Sequence, residues 1–196
     1  HKLGQIGCKM IDAPVTRGIP DAEKGTLVTM VGGDPLVLDQ CRDILECMAS
    51  EIIHIGANGL GHAMKLVNNM TCQTEIVSIC GAFALGTQAG IDLNTLFDVI
   101  TRGTGNSFMF QYKAPRILKR DFEPGGSVDI AYKDLDLATT MARDLGVHLL
   151  IPNIALEIYK AAKAVGLSKK DNTSIITLFE HYLGRKIGEK PVAAGE

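Results

Sequence analysis

The sequence predicts a mainly helical protein. The closing part of an α/β domain comes first, and an all-helical domain built on one long central helix follows. Three observations predict this. Two short apolar or β-branched runs, residues 26–31 and 51–55, flank one amphipathic helix near the start. From His62 onward every apolar pattern has the helical period. Between Ala63 and Ala89 only Lys65 and Glu75 are charged, which marks a helix buried on most sides.

Residues 9–15 read as a first strand, ending in Asp12-Ala13-Pro14-Val15. Thr16-Arg17-Gly18 then form the loop at its C-terminal end, where ligands bind in open α/β sheets. Residues 26–31 (TLVTMV) are a second strand bounded by Gly25 and Gly32-Gly33. Asp34-Pro35 opens a helix, with Asp as N-cap and Pro in the first turn. Leu38, Cys41, Ile44, Leu45 and Met48 keep its period. Residues 51–55 are a third strand closing on Gly56. Residues 1–56 are thus the C-terminal part of an α/β domain, too short to be a whole one. The opening HKLGQIGCKMIDAPV reads as the tail of a helix running into a strand, so the chain is expected to begin inside a fold.

Residues 57–185 are expected to be the helical domain. Its first helix, residues 62–89, is about 42 Å long at 1.5 Å per residue, and its apolar faces call for cover by a second subunit. Gly90-Ile91-Asp92 ends it and caps a helix over 93–101. A loop at 102–107 leads to a helix over 108–119, with an interruption expected at Pro115. The loop Phe122-Glu123-Pro124-Gly125-Gly126-Ser127 precedes an amphipathic helix over 128–145, stopped by Gly146. Two more helices follow, over 152–165 and 172–183. Residues 186–196 lack apolar periodicity and read as a flexible tail. No internal repeat or low-complexity segment is visible.

Several function classes are disfavoured. The formal net charge is −2 and no Lys/Arg stripe stands out, so nucleic acid is not an expected partner. The longest uncharged run, residues 76–91, is broken by Gly81, Gly86 and Gly90 and is shorter than the roughly 20 residues a membrane span needs. Cys8, Cys41, Cys47, Cys72 and Cys80 form no C-x-x-C pair and read as buried, reduced thiols of a cytoplasmic protein. His54, His62 and His148 lack metal-ligand spacing, so no metal is expected, and His62 reads as a helix-start residue.

The chemistry concentrates in residues 56–69, GANGLGHAMKLVNN. A lysine at the head of an apolar helix is costly unless it has work or a partner. Residues three and four apart share a helix face, so Lys65 and Asn69 can address one small space, with Asn68 beside it. The bland alternatives are a snorkelling or acid-paired Lys65 and a purely helix-capping or interhelical Asn69. Gly56, Gly59 and Gly61 either admit a ligand close to the backbone or simply make a tight strand-to-helix turn.

Three motifs together resemble the β-hydroxyacid dehydrogenase family, which includes 3-hydroxyisobutyrate dehydrogenase and tartronate semialdehyde reductase. They are DAPVTRG at 12–18 with GTLVTMVGGD at 25–34, the Gly59-x-Gly61-x-x-x-Lys65-x-x-x-Asn69 run, and Lys133-Asp134-Leu135. The resemblance implies a Rossmann-type domain followed by an all-helical, 6-phosphogluconate dehydrogenase-like domain. It also implies a homodimer or homotetramer formed through the helical domain, and oxidation of a short 3-hydroxy acid with NAD or NADP. In that reading Lys65 is the general acid/base, its pKa lowered by desolvation from the free value near 10.4. Asn69 hydrogen-bonds the substrate, Lys133 reaches the cofactor near its nicotinamide end, and Asp134 orients a neighbour. Thr16, Arg17 and Gly18 take the place of the family's Ser-Gly-Gly substrate loop. Thr16 keeps the hydroxyl. Arg17 departs from glycine and either binds a second anionic group of the substrate or faces outward. Lys133 could instead be an exposed partner of Asp129 or Asp136.

Two further departures stand out. Gly81 occupies a place where the family often carries an acid, and the family's G-x-G-x-x-G fingerprint is missing. Gly56-x-x-Gly59-x-Gly61 lacks that order. The cofactor would be bound mainly by a part outside these residues, so little activity is expected of this chain alone. The competing readings are a non-catalytic helical oligomerisation module and a 6-phosphogluconate dehydrogenase-like enzyme. The latter is disfavoured because its helical domain would be much larger.

Overall fold

The computed structural model describes residues 4–189, and the chain divides into two compact units after Asn68. The first unit contains β1 (Val15–Thr16), α1 (Ile19–Glu23), β2 (Leu27–Gly32), α2 (Pro35–Glu46) and β3 (Ala49–Gly56). It also holds the first turns of α3 (Leu60–Gln88). The sheet order is β1-β2-β3. β1 pairs with β2 antiparallel, and β2 pairs with β3 parallel. Parallel neighbours need a crossover, and α2 supplies it. The Asp34 carboxylate accepts the Leu36 N–H at 2.8 Å to start that helix. β2 is buried at every position, and such a strand reads as an apolar run without alternation. Val31, Leu38 and Leu45 form the core, with Ile11, Ala13 and Ile52 against them.

The expected first strand over 9–15 is not continuous. Asp12 exchanges two backbone hydrogen bonds with Gly32, at 2.9 and 2.8 Å, and the ladder resumes only at Val15. Pro14 lies between and has no N–H to donate. Thr16 therefore sits in β1 rather than in a loop. The short α1 was not foreseen. Gly18 precedes it at φ 87°, and Pro20 lies in its first turn.

The start of α3 lies directly on the end of β2. A Cβ on Gly61 would stand 2.5 Å from the Met30 carbonyl oxygen and 2.9 Å from the Gly32 nitrogen. One on Gly32 would stand 2.6 Å from Asp12 Oδ1 and 2.8 Å from the Ala57 oxygen. These are mostly backbone atoms and cannot step aside. Gly61→Ala is therefore expected to cost about 1–3 kcal/mol by overpacking. The denaturant midpoint measures it, and an unchanged midpoint would show that helix and strand separate freely.

The second unit contains the rest of α3 and α4 (Leu93–Arg102), α5 (Phe108–Lys119), α6 (Val128–Asp144), α7 (Leu150–Ala164) and α8 (Ile176–Leu183). Its core joins Ile76, Cys80 and Phe83 of α3 to Phe110, Leu135, Tyr159 and Ile175. Only one face of α3 is buried, through Gln73, Ile76, Ile79, Cys80, Phe83, Ala84 and Thr87, whereas Leu85 is 72% exposed. The faces left open within this one chain are those for which the sequence calls for cover by a second subunit. The uncharged composition of the helix exceeds what its own unit covers.

Other boundaries also shift. α5 runs through Pro115 without interruption, because Phe110, Lys113, Ala114 and Ile117 bury the helix on both sides of it. α7 starts at Leu150 rather than 152, since Pro152 falls in the first turn, where its missing N–H has no partner to lose. The expected helix over 172–183 is split into a 3₁₀ turn at Asn172–Ile175 and α8. Residues 186–189 are not a free tail. The Ile187 N–H bonds Glu180 at 2.9 Å, and the Gly188 N–H bonds Thr87 Oγ1 at 3.1 Å. Residues 190–196 lie outside the described residues. Cys80 is buried, and burial pushes its thiol up. Cys8 and Cys47 are exposed, against the expectation of buried thiols. Among the described residues, no helix is long and apolar enough to cross a membrane.

Candidate functional site

In the first unit the candidate residues gather around Asp12. The four N-terminal N–H groups of a helix lack partners within it, and the residue before α3, Gly59, has no side chain with which to cap it. Asp12 supplies one from far upstream. Its Oδ1 accepts the Gly59 N–H at 2.6 Å, and Oδ2 accepts the His62 N–H at 2.8 Å. The His62 imidazole Nδ1 lies 3.2 Å from Oδ2. Burial pushes the Asp12 carboxyl up. The donated hydrogen bonds from Gly59 and His62 outweigh it and hold the group below its ordinary value. Sequence reading treated Asp12 only as part of a motif. The signal was a glycine-rich helix start with no local cap.

Lys65 lies on the second turn of α3 and is half-buried. Thr16 on β1 accepts a hydrogen bond from the Asn68 amide at 3.3 Å, which ties the expected substrate segment to the helix turn after Lys65. Arg17 has φ 93° and Gly18 φ 87°, so both occupy the left-handed region that favours glycine. The Arg17 guanidinium donates to Glu51 at 3.0 Å, and both side chains are exposed. Of the two alternatives for Arg17, this is the arrangement of the outward-facing one.

The second unit joins Asn69, Asp134 and Lys133. The Asn69 Nδ2 donates to Asp134 Oδ2 at 2.8 Å, and Lys133 Nζ lies 2.9 Å from Asp134 Oδ1. Asp134 is buried, while the Lys133 side chain is 61% exposed. Asp129, one alternative partner for Lys133, is instead engaged by Lys163 at 2.9 Å and Lys169 at 3.2 Å.

A buried ion pair in this unit was missed. Lys113 Nζ lies 3.1 and 2.9 Å from the two oxygens of Asp171, and both residues are buried. Asp171 also accepts from Thr173 N at 3.0 Å, Thr173 Oγ1 at 2.8 Å and Gly125 N at 3.1 Å. Burial pushes the Asp171 carboxyl up. The Lys113 charge and the Thr173 N–H outweigh that and hold it below its usual range. The pair pins the loop over 122–127 ahead of α6, which carries Lys133. The Asp171 N–H bonds the Phe122 carbonyl at 3.0 Å, and the Asn172 N–H bonds that of Gly126 at 2.8 Å. The available signal was a lysine on the apolar stripe Phe110, Ala114, Ile117. Among the described residues no three His, Cys, Asp or Glu side chains gather as a metal site.

Residues 59–179 match the family model for the NAD-binding domain of NADP-dependent 3-hydroxyisobutyrate dehydrogenase. Residues 1–56 match that for the NAD binding domain of 6-phosphogluconate dehydrogenase. L-threonate dehydrogenase of Escherichia coli O6:H1 is 32% identical over 178 residues, covering 90% of this chain and 59% of that protein. 2-(Hydroxymethyl)glutarate dehydrogenase of Eubacterium barkeri is 32% identical over 179 residues, covering 91% and 60%. The crystal structure of 3-hydroxyisobutyrate dehydrogenase from Salmonella typhimurium is similar with a TM-score of 0.84 at 30% identity, over 90% of this chain and 62% of that one. The chain spans about three fifths of the length of the curated relatives it matches.

Proposed function

The chain belongs to the β-hydroxyacid dehydrogenase family, and we propose that the protein containing it oxidises a short hydroxy acid with NAD or NADP. The observation that carries this reading is the Thr16–Asn68 hydrogen bond. It holds the hydroxyl of the substrate segment against α3 one turn beyond Lys65. In the proposed reaction Thr16 and the backbone of Gly18 bind the substrate carboxylate. Lys65 takes the hydroxyl proton in oxidation and returns it in reduction. The nicotinamide, when bound, supplies the hydride acceptor. Lys133 fits a role towards the cofactor, because its ammonium is exposed yet anchored on a buried carboxylate.

The test is a substrate panel on the full-length protein with NAD and NADP. L-threonate, 3-hydroxyisobutyrate and 2-(hydroxymethyl)glutarate, taken from the relatives, head the panel. Nicotinamide reduction with at least one of them is expected. No reduction with any hydroxy acid would leave the helical oligomerisation module as the better reading. The 196 residues alone are expected to give no turnover, and measurable turnover would overturn that part.

Arg17 adds a question of substrate class. Its exposed pair with Glu51 is worth about 0–1 kcal/mol, weak enough to be exchanged for a second anionic group on the substrate. A dicarboxylate such as 2-(hydroxymethyl)glutarate offers one. Arg17→Gly is expected to raise KM for dicarboxylates by roughly tenfold, the worth of one charged hydrogen bond, and to leave monocarboxylates unchanged. Equal changes on both classes would remove Arg17 from the site.

A further inference from the structure

A carboxylate only accepts hydrogen bonds. Asp134 therefore dictates which way the Asn69 amide lies: Nδ2 must turn to Asp134 Oδ2, where it sits at 2.8 Å, and the carbonyl oxygen must turn away. Asp134 is 3% exposed, so water cannot readily compete for that bond. Its other oxygen holds Lys133 at 2.9 Å. One buried group thus touches a residue assigned to the substrate and one assigned to the cofactor.

We propose that Asp134 is a positioning residue that fixes the direction of the Asn69 amide, so that Asn69 meets its ligand with the carbonyl oxygen as an acceptor. This rests on the reading of Asn69 as a substrate residue. The chemistry selected is a hydrogen-bond donor, a substrate hydroxyl or an ammonium hydrogen, rather than a carboxylate oxygen. The residue acts through Asn69 and takes no proton itself. Asn in place of Asp134 would present either an oxygen or an N–H, and the Asn69 amide would lose its fixed sense.

A double-mutant cycle in the full-length protein tests this. Asp134→Asn is expected to lower kcat/KM for the hydroxy acid by about tenfold or more, the worth of a charged hydrogen bond. In an Asn69→Ala background the same change is expected to lower it less than about twofold, because the group it acts through is gone. Any rise in cofactor KM should persist in that background and vanish in Lys133→Ala. Losses that multiply in the double variant would overturn the proposal, as would an unaffected kcat/KM in Asp134→Asn. An Asn69→Ala variant with unchanged kinetics would instead remove the substrate reading on which the proposal stands. If Asp134→Asn fails to fold, side-chain amide exchange of Asn69 in the unaltered 196-residue chain decides. Protection supports the fixed amide, and exchange at the solvent rate overturns it.

Discussion

Lys65→Met in the full-length protein is expected to lower kcat/KM for hydroxy-acid oxidation by about 100- to 10,000-fold, the range of a lost general acid/base. Methionine matches the lysine stem in length and apolar character, so the half-buried helix face is kept. The informative partner is Lys65→Arg. Arginine keeps the positive charge but does not release its proton in the working range. If Lys65 transfers the hydroxyl proton, Lys65→Arg is as inactive as Lys65→Met. If Lys65 only attracts the substrate carboxylate, arginine restores most of the rate and the loss in Lys65→Met appears in KM. A recovered kcat in Lys65→Arg would therefore sink the proton-transfer role while leaving the binding site in place.

How far the sequence could be read follows from where its signals are local. β2, α2 and the long α3 were legible because burial, a cap and an uncharged run are written in consecutive residues. Lys65, Asn69 and Lys133 stood out in the sequence through their motifs, with Asp134 expected to orient a neighbour, and the structure joins Asn69, Asp134 and Lys133 by direct contacts. What escaped was set by distance along the chain. Asp12 caps a helix that begins 48 residues later, and no window around Leu60 contains it. Lys113 and Asp171 stand 58 residues apart, and the lysine's place on an apolar stripe does not say which acid meets it. The continuity of α5 through Pro115 depends on burial supplied by other helices, which a local helix-breaking rule does not weigh. The segment 186–189 carries no apolar period, yet backbone N–H groups fasten it to Thr87 and Glu180.

Asp171→Asn is expected to destabilise the 196-residue chain by about 3–5 kcal/mol, because removing one partner of a buried pair leaves an uncompensated charge. Asparagine keeps the shape and can still accept from Thr173, so the loss reports the charges that face Asp171, chiefly the buried Lys113 ammonium with Arg116 Nε at 3.9 Å. Chemical denaturation at neutral pH measures it. Adding Lys113→Met removes the stranded ammonium and is expected to recover part of the loss. A single-variant loss below about 1 kcal/mol would mean that water reaches the pair and that it behaves as a surface bridge. The pH dependence gives an independent reading. The Asp171 carboxyl sits below its ordinary value in the folded chain. Its contribution is therefore fully present above the unfolded value near 3.9 and is lost as the pH falls through the lower, folded one. The gap between parent and Asp171→Asn should stay constant from about pH 5 to 8 and close in stronger acid. The same carboxylate fastens the loop over 122–127, whose Ser127 caps α6. Loosening that loop frees the first turns of the helix that carries Lys133 and Asp134. In the full-length protein Asp171→Asn should therefore raise the KM for the nicotinamide cofactor even under conditions where most of the protein remains folded.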